Sequence, residues 1–195
     1  MKPNNVAIKI KGISPMLQNR RNFMLDCLDD PELDKQRGES YEDREKRIWK
    51  KKAHYNDNGN VIIPGEWIKG LLKASQRRGK FPIQPPGSRS KNDNMLPYFI
   101  SGVLIEDSEI TNDKKVIKEK HLLPFRCIVS PQRGKSIPCT RPMISDWEST
   151  IKFVIIDEAI SEDCLVTVME WIGTYFGMGD FRPQQGGNYG RFMLI

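Results

Sequence analysis

Residues 177–191 read GMGDFRPQQGGNYGR, five glycines in fifteen positions, with Phe181, Arg182, Tyr189 and Arg191 among them. The amides of such a loop can line a phosphate, and its two guanidinium groups can neutralise one. A tight turn with Phe181 and Tyr189 packed inward is the equal alternative. The loop is not a nucleotide-binding P-loop, because GxxxxGK(S/T) occurs nowhere in the chain. It runs from a predicted helix into a predicted strand, the reverse of a dinucleotide fingerprint.

Basic residues gather in two further places. Residues 44–52 hold six of them in nine positions, and Lys69, Lys73, Arg77, Arg78 and Lys80 follow. Any one group reads as a solvated face. Three groups in a chain of 195 residues with net charge +6 favour a polyanionic partner. The acidic run LDCLDDPELD, with Asp26, Asp29 and Asp30, reads as a solvated acidic stretch or as a helix start at Asp29–Asp30. Carboxylates act on a metal only when they converge, which neighbourhood in sequence does not establish. His54 and His121 stand far apart, without a recognisable partner spacing. Four scattered cysteines, with no CxxC, argue against zinc, and Cys164 reads as a small buried apolar side chain. No metal or cofactor is expected.

These residues need a frame. Residues 6–12, VAIKIKG, alternate apolar and basic as a half-buried strand does. Residues 17–60 are polar and charged, an insertion expected to be partly helical, with a short basic helix over 44–52 that touches the body through Ile48 and Trp49. Residues 61–63 form a short strand. Pro64 opens a helix whose inner face is Ile68, Leu71, Leu72 and Ser75. PYFISGVLI, 97–105, predicts a strand kinked at Gly102. Residues 106–120 are charged and expected to be exposed. Residues 121–145 predict a β-ribbon with QRGK at its tip, and 147–156 a further strand. Ser161 caps a helix with Leu165, Val168, Met169, Ile172 and Phe176 inward. Residues 189–195 predict the last strand. The fold class is α+β, a ferredoxin-like (RRM-like) βαββαβ core with a long insertion after strand 1 and a β-hairpin insertion.

A family resemblance fits this frame. VIIPGEWIKGLLKAS, 61–75, resembles the IPGSSLKGALR-type motif of the RAMP superfamily, the repeat-associated proteins that build CRISPR effector complexes. The matching residues are Ile63, Pro64, Gly65, Ile68, Lys69, Gly70, Leu72 and Lys73. GGNYGRF, 186–192, is similar to the family's glycine-rich loop before its last strand, and KGISPM to the end of its opening strand. RPQQGG has no counterpart in the motif. The closest branch is the backbone subunits that assemble along a guide RNA.

The resemblance implies one RAMP-like domain over 1–195, with a finger-like insertion at 17–60 and a thumb-like ribbon at 106–146. It implies a surface for single-stranded, guide-like RNA made by Gln18, Asn19, Arg20, Arg21, Lys69, Lys73, Arg77, Arg133, Lys135, Arg182 and Arg191. The amides around Gly186 and Gly187 join them, and Met16, Tyr189 or Phe181 would press on bases. For Lys69 and Lys73 an exposed helix face, and for Met16 core packing, stay open as alternatives. Further implied partners are a target strand of DNA or RNA, copies of the same chain and other effector subunits. Two rivals remain: a metal-dependent endoribonuclease of the same fold, for which the resemblance implies Asp26, Asp29 and Asp30 after the first strand as catalytic candidates, and a structural assembly protein of a phage or mobile element. The chain lacks the roughly 18-residue apolar run of a membrane span and an apolar leader, so a cytoplasmic protein with no membrane partner is expected.

Overall fold

A computed structural model describes residues 3–20, 33–77, 83–89, 93–129 and 136–195. Its elements in chain order begin with β1 (Asn4–Gly12) and β2 (Met16–Leu17), then α1 (Tyr41–Ile48), β3 (Ile62–Ile63) and α2 (Gly65–Arg77). The middle of the chain forms α3 (Leu96–Ser101), β4 (Val103–Ile105), β5 (Ser108–Asn112), β6 (Lys115–Val116), β7 (Leu123–Val129) and β8 (Ile137–Ile144). β9 (Glu148–Ile155), α4 (Glu162–Tyr175) and β10 (Phe192–Leu194) complete it.

The main sheet runs β10-β1-β9-β5-β3, with β4 also on β9 and β6 on β5, and every pairing is antiparallel. The alternation in β1 sends Val6, Ile8 and Ile10 inward and Ala7, Lys9 and Lys11 outward, as the sequence pattern requires. α2 and α4 bury their apolar stripes with these inward side chains in one core. α4 begins as expected, with the Ser161 hydroxyl accepting the Cys164 N–H at 3.1 Å. Burial pushes the Cys164 thiol up to about 11, consistent with a packing role.

The outward face of the sheet is a solvated surface. Lys9 and Lys11 both reach Glu148 at 3.2 Å. The outward positions of β1 and β9 carry Asn5, Ala7, Lys9, Lys11, Thr150 and Lys152 and no aromatic ring. Four-stranded RNA-binding sheets stack bases on aromatics at such positions. This face lacks that device.

Three expectations change. Residues 97–105 are a helix followed by a strand: Pro97 occupies the first turn of α3, Phe99 is buried, and the Gly102 N–H closes the helix onto the Tyr98 carbonyl at 2.6 Å. Short apolar runs carry no reliable period, and long-range packing decided this one. Within 106–120, β5 enters the main sheet and buries Ile110 completely. The ribbon expected over 106–146 is therefore divided, and 123–144 form a separate antiparallel hairpin that β2 extends into a three-stranded sheet. The last strand is shorter than expected, starting at Phe192.

The insertion does contain the short basic helix, as α1 followed by a 3-10 turn over Trp49–Lys52, with Ile48 buried. Its charges are largely spent inside the protein. Arg47 pairs with Glu39 at 2.9 Å, and Lys46 with Glu42 at 3.2 Å. Arg44 donates to the Leu33 carbonyl at 2.9 Å. Lys52 is buried on Glu45 and the Thr140 carbonyl, which fastens the insertion to β8. The group at 44–52 is thus a structural clamp more than a free cationic face.

Candidate nucleic-acid interface

α2 divides into two faces. Ile68, Leu71 and Leu72 enter the core, and the Gly65 N–H that starts the helix is capped by the Asp107 carboxylate at 2.8 Å. The remaining face, with Glu66, Gly70, Lys73 and Arg77, forms one wall of a cleft of about 950 Å³. The opposite wall is the first half of the glycine-rich loop, through Gly179, Asp180, Arg182, Gln184 and Gln185. Asn19, Arg20, His54 and Asp107 also line the space.

Close backbone packing holds that second wall. The Asp180 N–H donates to the Leu17 carbonyl at 2.8 Å and the Gly190 N–H to the Pro15 carbonyl at 2.8 Å. Gly179 has φ +78°, and a Cβ there would collide with the Leu17 carbonyl. The segment after β1 and the loop before β10 are thereby stitched together, which sets Asn19 and Arg20 beside the cleft.

The charges in the cleft are unequal in their freedom. Asp180 is paired with Arg141 at 2.8 Å, and Asp107 is engaged by the helix start. Arg182 is braced by Gln184 at 3.0 Å and by the Gly179 carbonyl at 3.3 Å, which points its guanidinium along the loop. Lys73 and Arg77 have no hydrogen-bond or ion-pair partner among the described residues. Glu66 lines the cleft as well, but four cations face three carboxylates, two of which are engaged, so the cleft suits an anionic occupant.

His54 sits at the edge of this space. Its backbone N–H donates to the Gln18 side-chain oxygen at 2.8 Å, and its ring meets Trp67 edge-on with centroids 5.0 Å apart. Burial, and then the charge of Arg20, hold its pKa down to about 4, so the imidazole is neutral at pH 7. Its Nε2 is buried without a hydrogen-bond partner among the described residues.

The residues singled out from sequence divide accordingly. Asn19, Arg20, Lys73, Arg77 and Arg182 come together in the cleft. Met16 and Gln18 are 0% exposed, so neither offers a surface to a ligand. Gln18 instead ties the Ile62 carbonyl to the His54 amide. Lys69 leaves the cleft and donates to the Val103 carbonyl at 3.1 Å. Arg191 lies against α4, its guanidinium on the Thr174 carbonyl and its amide on the Ser14 hydroxyl at 2.9 Å. Tyr189 packs on Phe125 of β7, centroids 5.1 Å apart, and Phe181 meets the same ring at 6.2 Å.

The amides of the glycine loop are the main correction. Gly186 donates to Pro183, Gly187 to Arg182, Tyr189 to Phe181 and Gly190 to Pro15. Donors already satisfied by protein carbonyls do not form a phosphate nest. The glycines serve close approach of the chain to itself: a Cβ at Gly187 would strike the Phe181 carbonyl, and one at Gly190 the Met178 carbonyl. Arg21, Asp26, Asp29, Asp30, Arg133 and Lys135 lie outside the described residues. His121 makes a local cap, its Nδ1 accepting the Lys118 N–H at 3.0 Å. Among the described residues no His, Cys, Asp and Glu side chains gather in a group that could hold a metal, and no helix is long and apolar enough to cross a membrane.

Sequence reasoning missed His54, Trp67 and Gly70 as cleft residues. Gly70 carried a readable signal, a glycine inside a strongly amphipathic helix. His54 carried none, because its partners come from distant segments.

No protein-family model matches the chain, and no curated protein matches it in sequence. Solved structures do match its fold. The cryo-EM structure of the Type III-B Cmr-beta bound to cognate target RNA superposes with a TM-score of 0.59 and 13% identity, covering 100% of this chain and 59% of that one. The crystal structure of Cmr6 from Pyrococcus furiosus superposes with a TM-score of 0.53 and 12% identity, over 100% of both chains. The present chain thus spans about 59% of the length of the Cmr-beta chain. At such identities the likeness is one of fold. The polypeptide has the fold of the RAMP-type subunits of type III CRISPR complexes that its sequence motifs resemble.

Proposed function

We propose that this chain is an RNA-binding subunit of a CRISPR-type ribonucleoprotein and that the cleft between α2 and residues 179–185 holds a single strand. One observation carries the reading. Lys73 and Arg77 stand unpaired among the described residues, across the cleft from Arg182, while Asp107 and Asp180 are engaged elsewhere. Each phosphate neutralised there would contribute a sequence-independent, salt-sensitive increment of affinity. Trp67 supplies a ring on which a base can stack, worth roughly 1–3 kcal/mol per base in such sites.

The strand order supports a ferredoxin-like reading of the core. Taking β1, β4 with β5, β9 and β10 as strands 1 to 4, the sheet reads 4-1-3-2 with α2 and α4 as the two crossovers. In this reading 17–60 is a finger-like insertion and the β7–β8 hairpin a thumb, which meet neighbouring copies or effector subunits along the RNA. The role is binding, with no cleavage step assigned. Fluorescence anisotropy of labelled single-stranded RNA against salt tests it. The expected result is an affinity that falls steeply as salt rises, and absence of such binding refutes it.

A further inference from the structure

The β7–β8 hairpin sets two thiols opposite one another. Cys127 and Cys139 are direct partners in its register, next to the pair Phe125 and Arg141. Both are free and half-buried. The Thr140 N–H donates to the Glu45 carboxylate at 2.8 Å, and the Thr140 carbonyl accepts from Lys52 at 3.3 Å. Thr140 therefore turns its backbone toward α1 and the turn after it. Backbone direction alternates along a strand, so Cys139 turns its own N–H and carbonyl toward Cys127. Opposed residues of that kind have Cα atoms about 5.5 Å apart, inside the span of about 4.4–6.8 Å that a disulfide bridges.

The thiols have no other evident task. Neither lines the cleft, and among the described residues no further ligand joins them in a group that could hold a metal. The Cys127 thiol donates to the Cys139 carbonyl at 3.4 Å. The Cys139 sulfur lies 3.5 Å from the Lys52 ammonium and against the Arg141 guanidinium. These cations favour the thiolate, which is the attacking form in disulfide exchange. Burial acts in the opposite sense and is the larger influence, pushing both thiols up, so exchange is slow at neutral pH.

We propose that Cys127 and Cys139 are a reversible redox site, a dithiol that a small-molecule disulfide such as oxidised glutathione converts to a disulfide across the hairpin. One cysteine thiolate attacks a sulfur of the small disulfide, which gives a mixed disulfide and expels one small thiolate. The other cysteine thiolate attacks the protein sulfur of that mixed disulfide and expels the second. The two protein thiols are oxidised, the small disulfide is reduced to two thiols, and the two protein protons end on them. Opposed Cβ atoms in a sheet sit about 4.5–5.5 Å apart, against about 3.8 Å in a relaxed disulfide, so the bond carries strain and is readily reduced. That suits a switch rather than a permanent staple. Its place is where the hairpin meets the insertion, through Lys52 and Glu45, and the glycine-rich loop, through Arg141 and Asp180. The site is independent of the RNA-binding reading.

The test incubates the full chain, Cys127→Ser, Cys139→Ser and Cys164→Ser with oxidised glutathione at about pH 8, where thiolate is more abundant. Remaining thiols are alkylated and the digested peptides mapped by mass spectrometry. The parent chain and Cys164→Ser are expected to yield peptides joined through Cys127 and Cys139, neither bearing glutathione, and dithiothreitol should return both thiols. Cys127→Ser and Cys139→Ser should each stop at the mixed disulfide, with one glutathione on the remaining member of the pair. The proposal is overturned if, in the parent chain, Cys127 and Cys139 both stay thiols, each carry glutathione, or bond to Cys27 or Cys164 in place of one another. That result is read on the parent chain alone, so it does not depend on how any variant folds.

Discussion

Replacing Lys73 and Arg77 together by glutamine should change the salt dependence of RNA binding more than anything else about the protein. Four cations line the cleft, Arg20, Lys73, Arg77 and Arg182. For single strands, each neutralised phosphate adds about 0.7 to the magnitude of the slope of log affinity against log salt. Four contacts give a slope near −2.8, so raising salt from about 50 to 200 mM weakens the parent chain by roughly fiftyfold. Removing two contacts leaves a slope near −1.4 and a loss of only about sevenfold over the same range. Because neither side chain has a partner among the described residues, folding stability should move by no more than about 0.5 kcal/mol. Anisotropy titrations at four or more salt concentrations, with urea unfolding as the control, measure both. A double variant that keeps the parent slope would show that the strand lies elsewhere.

Acid should act through His54. Its pKa falls from the usual 6.5 to about 4 in the fold. The unfolded chain therefore takes up a proton between these values that the folded chain refuses, and stability present above pH 6.5 is lost as pH falls toward 4. Allowing for partial exposure of the ring, about 1–2 kcal/mol is expected. The difference in urea midpoint between the parent chain and His54→Gln, followed from pH 7 to pH 4, isolates it, and a difference that stays constant contradicts it. Glu45→Gln should destabilise by about 3 kcal/mol, because Lys52 and Glu45 are only 5% and 15% exposed at the side chain. Replacing both by methionine should recover much of that loss. Gly190→Ala, at φ +72° and against the Met178 carbonyl, should lose at least about 2 kcal/mol. A loss below about 0.5 kcal/mol would contradict the packing of the loop.

Much of the frame was legible before any coordinates. The alternation of β1, the inner face of α2 and the Ser161 cap with the stripe of α4 are local patterns, and local patterns survive folding. The stretch 97–105 was not legible, because a short apolar run suits a helix or a strand and only the burial of Phe99 settles it. In the site, Lys73 was readable as a motif cation, and Arg77 and Arg182 as members of the basic groups around the helix and the glycine loop. Lys69 misled because it lies one residue from the cleft face, where its long stem reaches a carbonyl of β4. The glycine loop misled for a deeper reason. Glycine permits close approach, and composition does not say whether the approaching backbone is a ligand's or the protein's own. At Gly179, Gly187 and Gly190 it is the protein's own.

Photo-cross-linking of the intact chain to single-stranded RNA carrying 4-thiouridine, with the modified peptides mapped by mass spectrometry, bears most directly on the cleft. The account predicts adducts within residues 64–77 and 179–185, lost when excess unlabelled RNA competes. Adducts confined to the outward positions of β1 and β9, with both cleft peptides unmodified, would contradict it.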